Sequence, residues 1–177
     1  VGTFVVKHTQ VIESGLEVLE SIETLARKIQ LDVAMGDYHI EQTTADRNTA
    51  ERLGVDEGTV VVKVARVIIA EKRPVAYLVD VLPQDVLTTD ALQEGFTGSV
   101  LDLLLKREMP ELENSVAHIQ AAAASPEIAR ALQIQRGDVL LMIESQLNDV
   151  TGKIVDYSLS YFLPGYFRFH VVRRVGK

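Results

Sequence analysis

Hydrophobic and polar positions along this chain repeat with two periods, and the changes from one period to the other divide it into short elements. Between Lys153 and Phe162, Tyr157, Leu159 and Tyr161 alternate with Asp156, Ser158, Ser160 and Phe162, the period of a half-buried strand. Pro164-Gly165 marks a turn before a second β-rich run, Phe167 to Val172. An acid and serines on one face, opposite aromatics on the other, suit a strand that lines a small-molecule pocket, although the same rings also serve as core. Thr59–Ala70 is almost wholly β-branched, and Glu71-Lys72-Arg73 turns it into a second strand, Pro74–Leu82. Gly137–Leu147 forms a similar strand, and Asn148–Gly152 turns it into the stretch described first. Val33–Thr43 and Ser115–Ala123 read as further strands.

Helical spacing appears elsewhere. Ile22, Leu25, Ala26 and Ile29 follow Ser21, an N-cap residue type, and predict a helix over 21–30. Asp46 caps a helix over Arg47–Leu53 that Gly54 stops. Ser99, with Asp102 three residues on, resembles a capping box before the stripe Val100, Leu101, Leu103, Leu104 and Leu105. Ser125-Pro126 starts another helix that runs to Leu132. His8–Leu16 reads as linker and Gly95–Gly98 as loop.

Two segments share one plan. Ala50-Glu-Arg-Leu-Gly-Val-Asp-Glu-Gly-Thr-Val-Val and Ala129-Arg-Ala-Leu-Gln-Ile-Gln-Arg-Gly-Asp-Val-Leu each give a short helix, a Gly turn and a long strand, then a hairpin into a strand with a central Tyr, Tyr77 or Tyr157. Two such helix-hairpin halves predict an α+β fold, a mixed and mainly antiparallel sheet covered by helices, with a pocket between the halves. Within it, Arg66 shares a strand face with Val60, Val62, Val64 and Ile68, so its guanidinium requires an acid on a neighbouring strand or a bound anion. The long apolar strands at 59–70 and 139–147 would aggregate if their edges stayed open, which suggests a two-fold dimer.

Composition narrows the functions. The 177 residues, 47% hydrophobic, fit one domain with a sizeable core. A net charge of -7 opposes a duplex-binding surface. The absence of cysteine rules out disulfides, thiol nucleophiles and thiolate metal sites, and permits a cytoplasmic home. No apolar run approaches the roughly 20 residues of a membrane span, and His8, His39, His118 and His170 show no metal spacing. Neither a phosphate-binding Gly loop nor a set of catalytic residues is present, and no cofactor or metal is expected.

Ordered motifs over residues 18–175 resemble the UTRA domain, the effector-sensing domain of the HutC branch of GntR transcription regulators. They are Ser21-Ile22 with its helix, Ala50-Glu-Arg-Leu-Gly-Val-x-x-Gly, Arg66-Val-x-x-Ala before Pro74-Val-Ala-Tyr and Leu82-Pro83, Gly98-Ser99 before an apolar helix, the second Ala-x-x-Leu-x-Ile-x-x-Gly, and Asp156-Tyr157-Ser158 with Phe167-Arg168-Phe169. Val1-Gly2-Thr3-Phe4-Val5 resembles the closing strand of the winged helix that precedes this domain in such regulators. The resemblance therefore implies residues 1–6 as the end of a truncated DNA-binding domain, 7–17 as linker and 18–177 as the ligand-binding domain. It also implies a chorismate lyase-like fold, a small-molecule effector held between the halves, a homodimer, and DNA contact only through the missing winged helix.

In relatives that sense sugar phosphates, an arginine and the Gly-Ser loop hold phosphate, while an acid and a hydroxyl on the last hairpin read the sugar. Arg66, Ser21, Gly98, Ser99 and Asp156 match those positions, and Tyr77, Ser158 and Phe162 complete the expected effector-binding set. Three positions depart: Ile68 replaces a second arginine, Leu78 an acid and Phe162 a tyrosine. One charge clamp then remains, which favours a carboxylate or single-phosphate ligand with an apolar body over a sugar phosphate. The bland alternatives make Ser99 only a cap, Asp156 only a solvated edge residue and Arg66 only an ion-pair partner. A lyase-like enzyme, with Arg66 on a carboxylate and Asp156 as acid, is the competing function.

Overall fold

The structure, a computed structural model, describes residues 11–175, and the expected Val1–Val6 strand lies outside them. Its elements follow the order β1 (Ile12–Gly15), α1 (Ile22–Lys28), β2 (Val33–Thr44), α2 (Arg47–Leu53), β3 (Val60–Ala70), β4 (Arg73–Pro83), α3 (Thr89–Gly95), α4 (Val100–Arg107), β5 (Leu112–Ala123), α5 (Pro126–Leu132), β6 (Val139–Asp149), β7 (Ile154–Phe162) and β8 (Phe167–His170). The predicted caps form. Asp46 Oδ1 accepts from Thr49 N–H at 2.7 Å and Ser125 Oγ from Ile128 N–H at 3.2 Å, while Gly54 closes α2 with a left-handed φ of 65°.

Six strands form one antiparallel sheet in the order β2-β3-β4-β7-β6-β5. The order is symmetric about the β4–β7 pair, so the internal repeat is larger than the helix and hairpin seen in sequence. Each half is a strand, a helix and a hairpin: β2-α2-β3-β4 and β5-α5-β6-β7. The helices cross over. Helix α2 packs on β7 of the other half and α5 on β4, so each covers the seam between halves and buries apolar residues such as Leu53 and Val61 or Val79 and Leu132. The opposite face carries α1, α3, α4 and the small β1–β8 sheet over two more apolar clusters.

Four features depart from the sequence reading. Ile12–Gly15, inside the stretch read as linker, is a strand that pairs in parallel with β8. Consequently β8 leaves the main sheet and ends at His170. Helix α3, capped by Thr88, was not anticipated, and Gly95 closes it rather than opening a loop. Strands β3 and β6 have neighbours on both sides, so the open edges belong to β2 and β5. Along β5, Val116 and Ile119 remain exposed.

A β-bulge sets the register of the first hairpin. Glu71 and Lys72 take left-handed φ values of 50° and 63°, which produces a two-residue turn with Ala70 opposite Arg73 and Ile69 opposite Pro74. Pro74 has no N–H for the ladder. Val75 is then skipped, Ile68 pairs with Ala76, and every later pair is displaced by one residue. The displacement places Leu78 opposite Arg66 and Asp80 opposite Val64.

Leu140→Ala is expected to destabilise the domain by about 2 to 5 kcal/mol, because Leu140 is fully buried among α5 and β4 residues. Urea unfolding followed by circular dichroism measures it, and a smaller loss would mean that this cluster does not hold the halves together.

Candidate functional site

On the face away from α2 and α5, polar residues occupy the gap between two apolar clusters. Strand β3 passes from Val64 in one cluster through Arg66 to Ile68 in the other, and β4 passes from Leu82 through Asp80 to Leu78. A cavity of about 390 Å³ opens over this gap, within the size range of small-molecule sites. Its floor adds Asp156, Ser158, Ser160 and Phe162 from β7 and Ile143 and Ser145 from β6. The chain from Ser14 to Leu25 and the start of α4, at Ser99 and Leu101, form its roof.

Arg66 is 5% exposed and Asp80 8% exposed, and one guanidinium nitrogen (Nη1) donates to Asp80 Oδ2 in a buried ion pair. The Phe96 ring lies 5.8 Å from the guanidinium carbon, a cation–π contact. Arg66 is therefore neutralised from within the fold. Of the two readings weighed from sequence, the structure adopts pairing with an acid on the neighbouring strand. Asp80 itself was missed, because a turn without the bulge would have placed Tyr77 opposite Arg66 and turned Asp80 to the far face.

The other expected anion contacts are also engaged. Ser21 Oγ caps α1 by accepting from Thr24 N–H at 3.0 Å and donates to Asp102 Oδ2 at 2.8 Å. Ser99 Oγ accepts from Asp102 N–H at 3.0 Å. Asp102 therefore completes only half of a capping box, and its carboxylate reaches across to α1 instead. Gly98 is not among the cavity-lining residues. With φ of 117°, a conformation suited to glycine, it lets Glu23 approach, since a Cβ there would lie 3.2 Å from Glu23 Oε1.

Asp156 lines the cavity at 6% exposure. Burial raises its carboxyl well above the usual range, the neighbouring Asp80 adds to the rise, and Arg66 opposes it. Burial also raises Glu23 of α1. Asp156 Oδ1, Glu23 Oε1 and Arg66 Nε are buried without hydrogen-bond partners. Glu23, Asp80 and Ser145 are thus site residues that sequence reasoning missed.

Six of the expected site residues, Arg66, Ser99, Asp156, Ser21, Phe162 and Ser158, converge on the cavity. Phe162 contributes an edge while its ring packs on Phe167 and Phe169 at 4.7 and 5.1 Å. Tyr77 does not converge and is corrected. It faces α5, where its hydroxyl donates to Glu127 Oε1 at 2.8 Å, and burial with that bond raises its pKa. Tyr157 behaves likewise on the helix face, donating to Glu144 Oε1 at 3.1 Å with its pKa pushed up to about 12. His118 and His170 are exposed, and no metal-binding cluster occurs among the described residues.

Asp80→Ala is expected to destabilise the domain by about 3 to 5 kcal/mol by stranding the guanidinium, whereas Arg66→Met with Asp80→Leu is expected to recover most of that loss. Urea unfolding of the three proteins checks this, and full stability of Asp80→Ala would contradict a buried pair. Asp156 has a raised folded pKa, so the folded state holds the proton more tightly. Its contribution to stability is present below the unfolded value of 3.8 and lost as pH rises through the folded pKa. Asp156→Asn should flatten that decline and raise stability at neutral pH, as read from melting temperature against pH.

The fold is shared with solved structures. PhnF from Mycobacterium smegmatis superposes with a TM-score of 0.82 at 20% identity, covering 94% of this chain and 73% of that one. Its isolated effector domain gives 0.80 at 20% identity over 93% and 100%. The ligand-binding domain of a putative GntR-family regulator from Bordetella bronchiseptica gives 0.72 at 18% identity over 81% and 91%. No curated protein matches the sequence. The UTRA domain pattern matches residues 36–168, which take in all of the six-stranded sheet but the first three residues of β2, and the chain belongs to the UTRA domain family.

Proposed function

We propose that this chain is the effector-binding and dimerisation domain of a cytoplasmic GntR-family regulator of the HutC branch. A small metabolite occupies the cavity between the halves and alters DNA binding by a winged helix on the N-terminal side. The observation that carries this reading is the cavity itself, where a polar floor with unpartnered buried groups lies under a roof formed by α1 and α4. That roof begins at β1, so a ligand held beneath it acts next to the segment that leads toward residues 1–10. Ligand binding shifts DNA affinity only by its differential affinity for the two arrangements of the dimer.

Two copies would pair through the β5 edge, an open strand with exposed Val116 and Ile119. The domain is not an enzyme on this reading. Arg66 is committed to Asp80, which removes the carboxylate clamp a lyase would use, and the carboxyl beside Asp156 is that same ion-paired Asp80, with no serine, cysteine or histidine nucleophile joined to the pair among the described residues.

A metabolite-library melting screen is expected to find a small molecule that stabilises the domain by mass action and is recovered unchanged. Conversion of chorismate-like compounds would favour the lyase instead. In the same preparation, light scattering should show a dimer and a gel shift should show no duplex binding, in keeping with the acidic surface. Either opposite result would remove that part of the proposal.

A further inference from the structure

The geometry points to an effector that presents a protonated amine to Asp156 and Glu23, and to a pocket that rejects phosphates and carboxylates. The inference rests on the reading of this cavity as the effector site and specifies the charge of what enters it.

The first ground is that the protein's own carboxylates already occupy its anion-binding groups. Arg66 holds Asp80 and faces Phe96, and the hydroxyl of Ser21 holds Asp102. Ser99 caps the backbone of Asp102, so the first turn of α4 already carries an acid of its own. An entering phosphate would have to displace these acids and leave them buried without a counter-charge.

The second ground is what remains unsatisfied. Asp156 Oδ1 and Glu23 Oε1 are buried acceptors without donors, Asp156 itself is more than nine-tenths buried, and the side chain its carboxyl hydrogen-bonds, Asp80, is another acid. An ammonium carries three donors and no acceptor, so it matches buried carboxylate oxygens that lack donors. Arg66 Nε is the one buried side-chain donor left over among the described residues, and a ligand hydroxyl beside the amine would satisfy it. Ser145, Ser158 and Ser160 offer further hydroxyl partners, while Leu78, Ile143 and Leu101 supply apolar wall for the ligand body.

The third ground is the field. Arg66 on β3 and Asp80 on β4 act directly on Asp156, Glu23 on α1, Glu17 and Glu20 in the roof and Glu113 on β5 line the same cavity, and Asp102 on α4 acts on Glu23. Arg66 is the only cation among the described lining residues. Such a cavity attracts cations and repels anions. Because burial holds Asp156 and Glu23 toward their protonated forms, an arriving ammonium should expel protons. Its affinity should therefore rise with pH while the amine itself stays charged.

The test uses matched probes at millimolar concentration with the whole chain: 2-phenylethylamine, 2-phenylethanol and phenylacetate, and glucosamine, glucose and glucose 6-phosphate. Binding is read from chemical-shift changes at Ser158 and Ile143 and from calorimetry. In at least one series the amine should bind about ten-fold or more tightly than its neutral partner, as expected for a charge-assisted contact. The acids should not bind. Amine affinity should rise with pH, with proton release, as long as the amine stays charged. Asp156→Asn and Glu23→Gln, each checked for an unchanged fold by its spectrum, should each remove most of the amine preference. Tighter binding of an acid or phosphate, an amine preference that survives both substitutions, or no amine binding in either series would overturn the inference. The effector reading is judged separately: a neutral or anionic molecule that stabilises the domain and perturbs Ser158 keeps the pocket as effector site while refuting its charge selectivity.

Discussion

A guanidinium buried between Val64 and Ile68 imposes the constraint on which the arrangement of this domain depends. Water cannot neutralise it there, so the fold must bring a carboxylate to it, and Asp80 of the adjacent strand does so. The pair interrupts what would otherwise be one apolar layer. It separates the cluster under α1 and β8 from the cluster under α3 and α4, and the gap becomes the cavity. The acids outnumber the arginine, however. Asp156 is buried and Glu23 half-buried, each with a buried oxygen that lacks a partner, and that surplus gives the site its chemical character.

The cavity also depends on how the halves join. Strands β4 and β7 pair over Ala76–Val81 and Tyr157–Phe162, so the floor is continuous from Arg66 of one half to Ser145 of the other. On the reverse face each helix lies over the other half's strand, and Tyr77 and Tyr157 reach polar partners there. One face of the seam is thus closed by packing, which leaves the other free to carry polar groups. The roof is less extensive. It consists of short segments held by the parallel β1–β8 pair and by the Ser21–Asp102 bond between α1 and α4. A ligand between floor and roof would touch both the rigid sheet and the segment nearest the N-terminal end, the arrangement a sensor requires.

The sequence by itself determined the main-sheet strands, the helices α1, α2, α4 and α5 with their caps, the helix-hairpin repeat and the polar face of β7, because these rest on local period and local hydrogen bonds, whereas β1 and α3 escaped it. Asp156, Ser158 and Phe162 fall on the cavity side as their alternation requires, while Tyr157 and Tyr161 fall on the other. Tertiary structure decided the rest. Which strand takes β8, where Asp102 sends its carboxylate and which acid meets Arg66 are matters of long-range pairing, and no local pattern encodes them. The bulge at Val75 shows the reason most directly. Side chains alternate with a period of two, so one skipped residue exchanges the faces of all that follow it, turning Asp80 toward Arg66 and Tyr77 away.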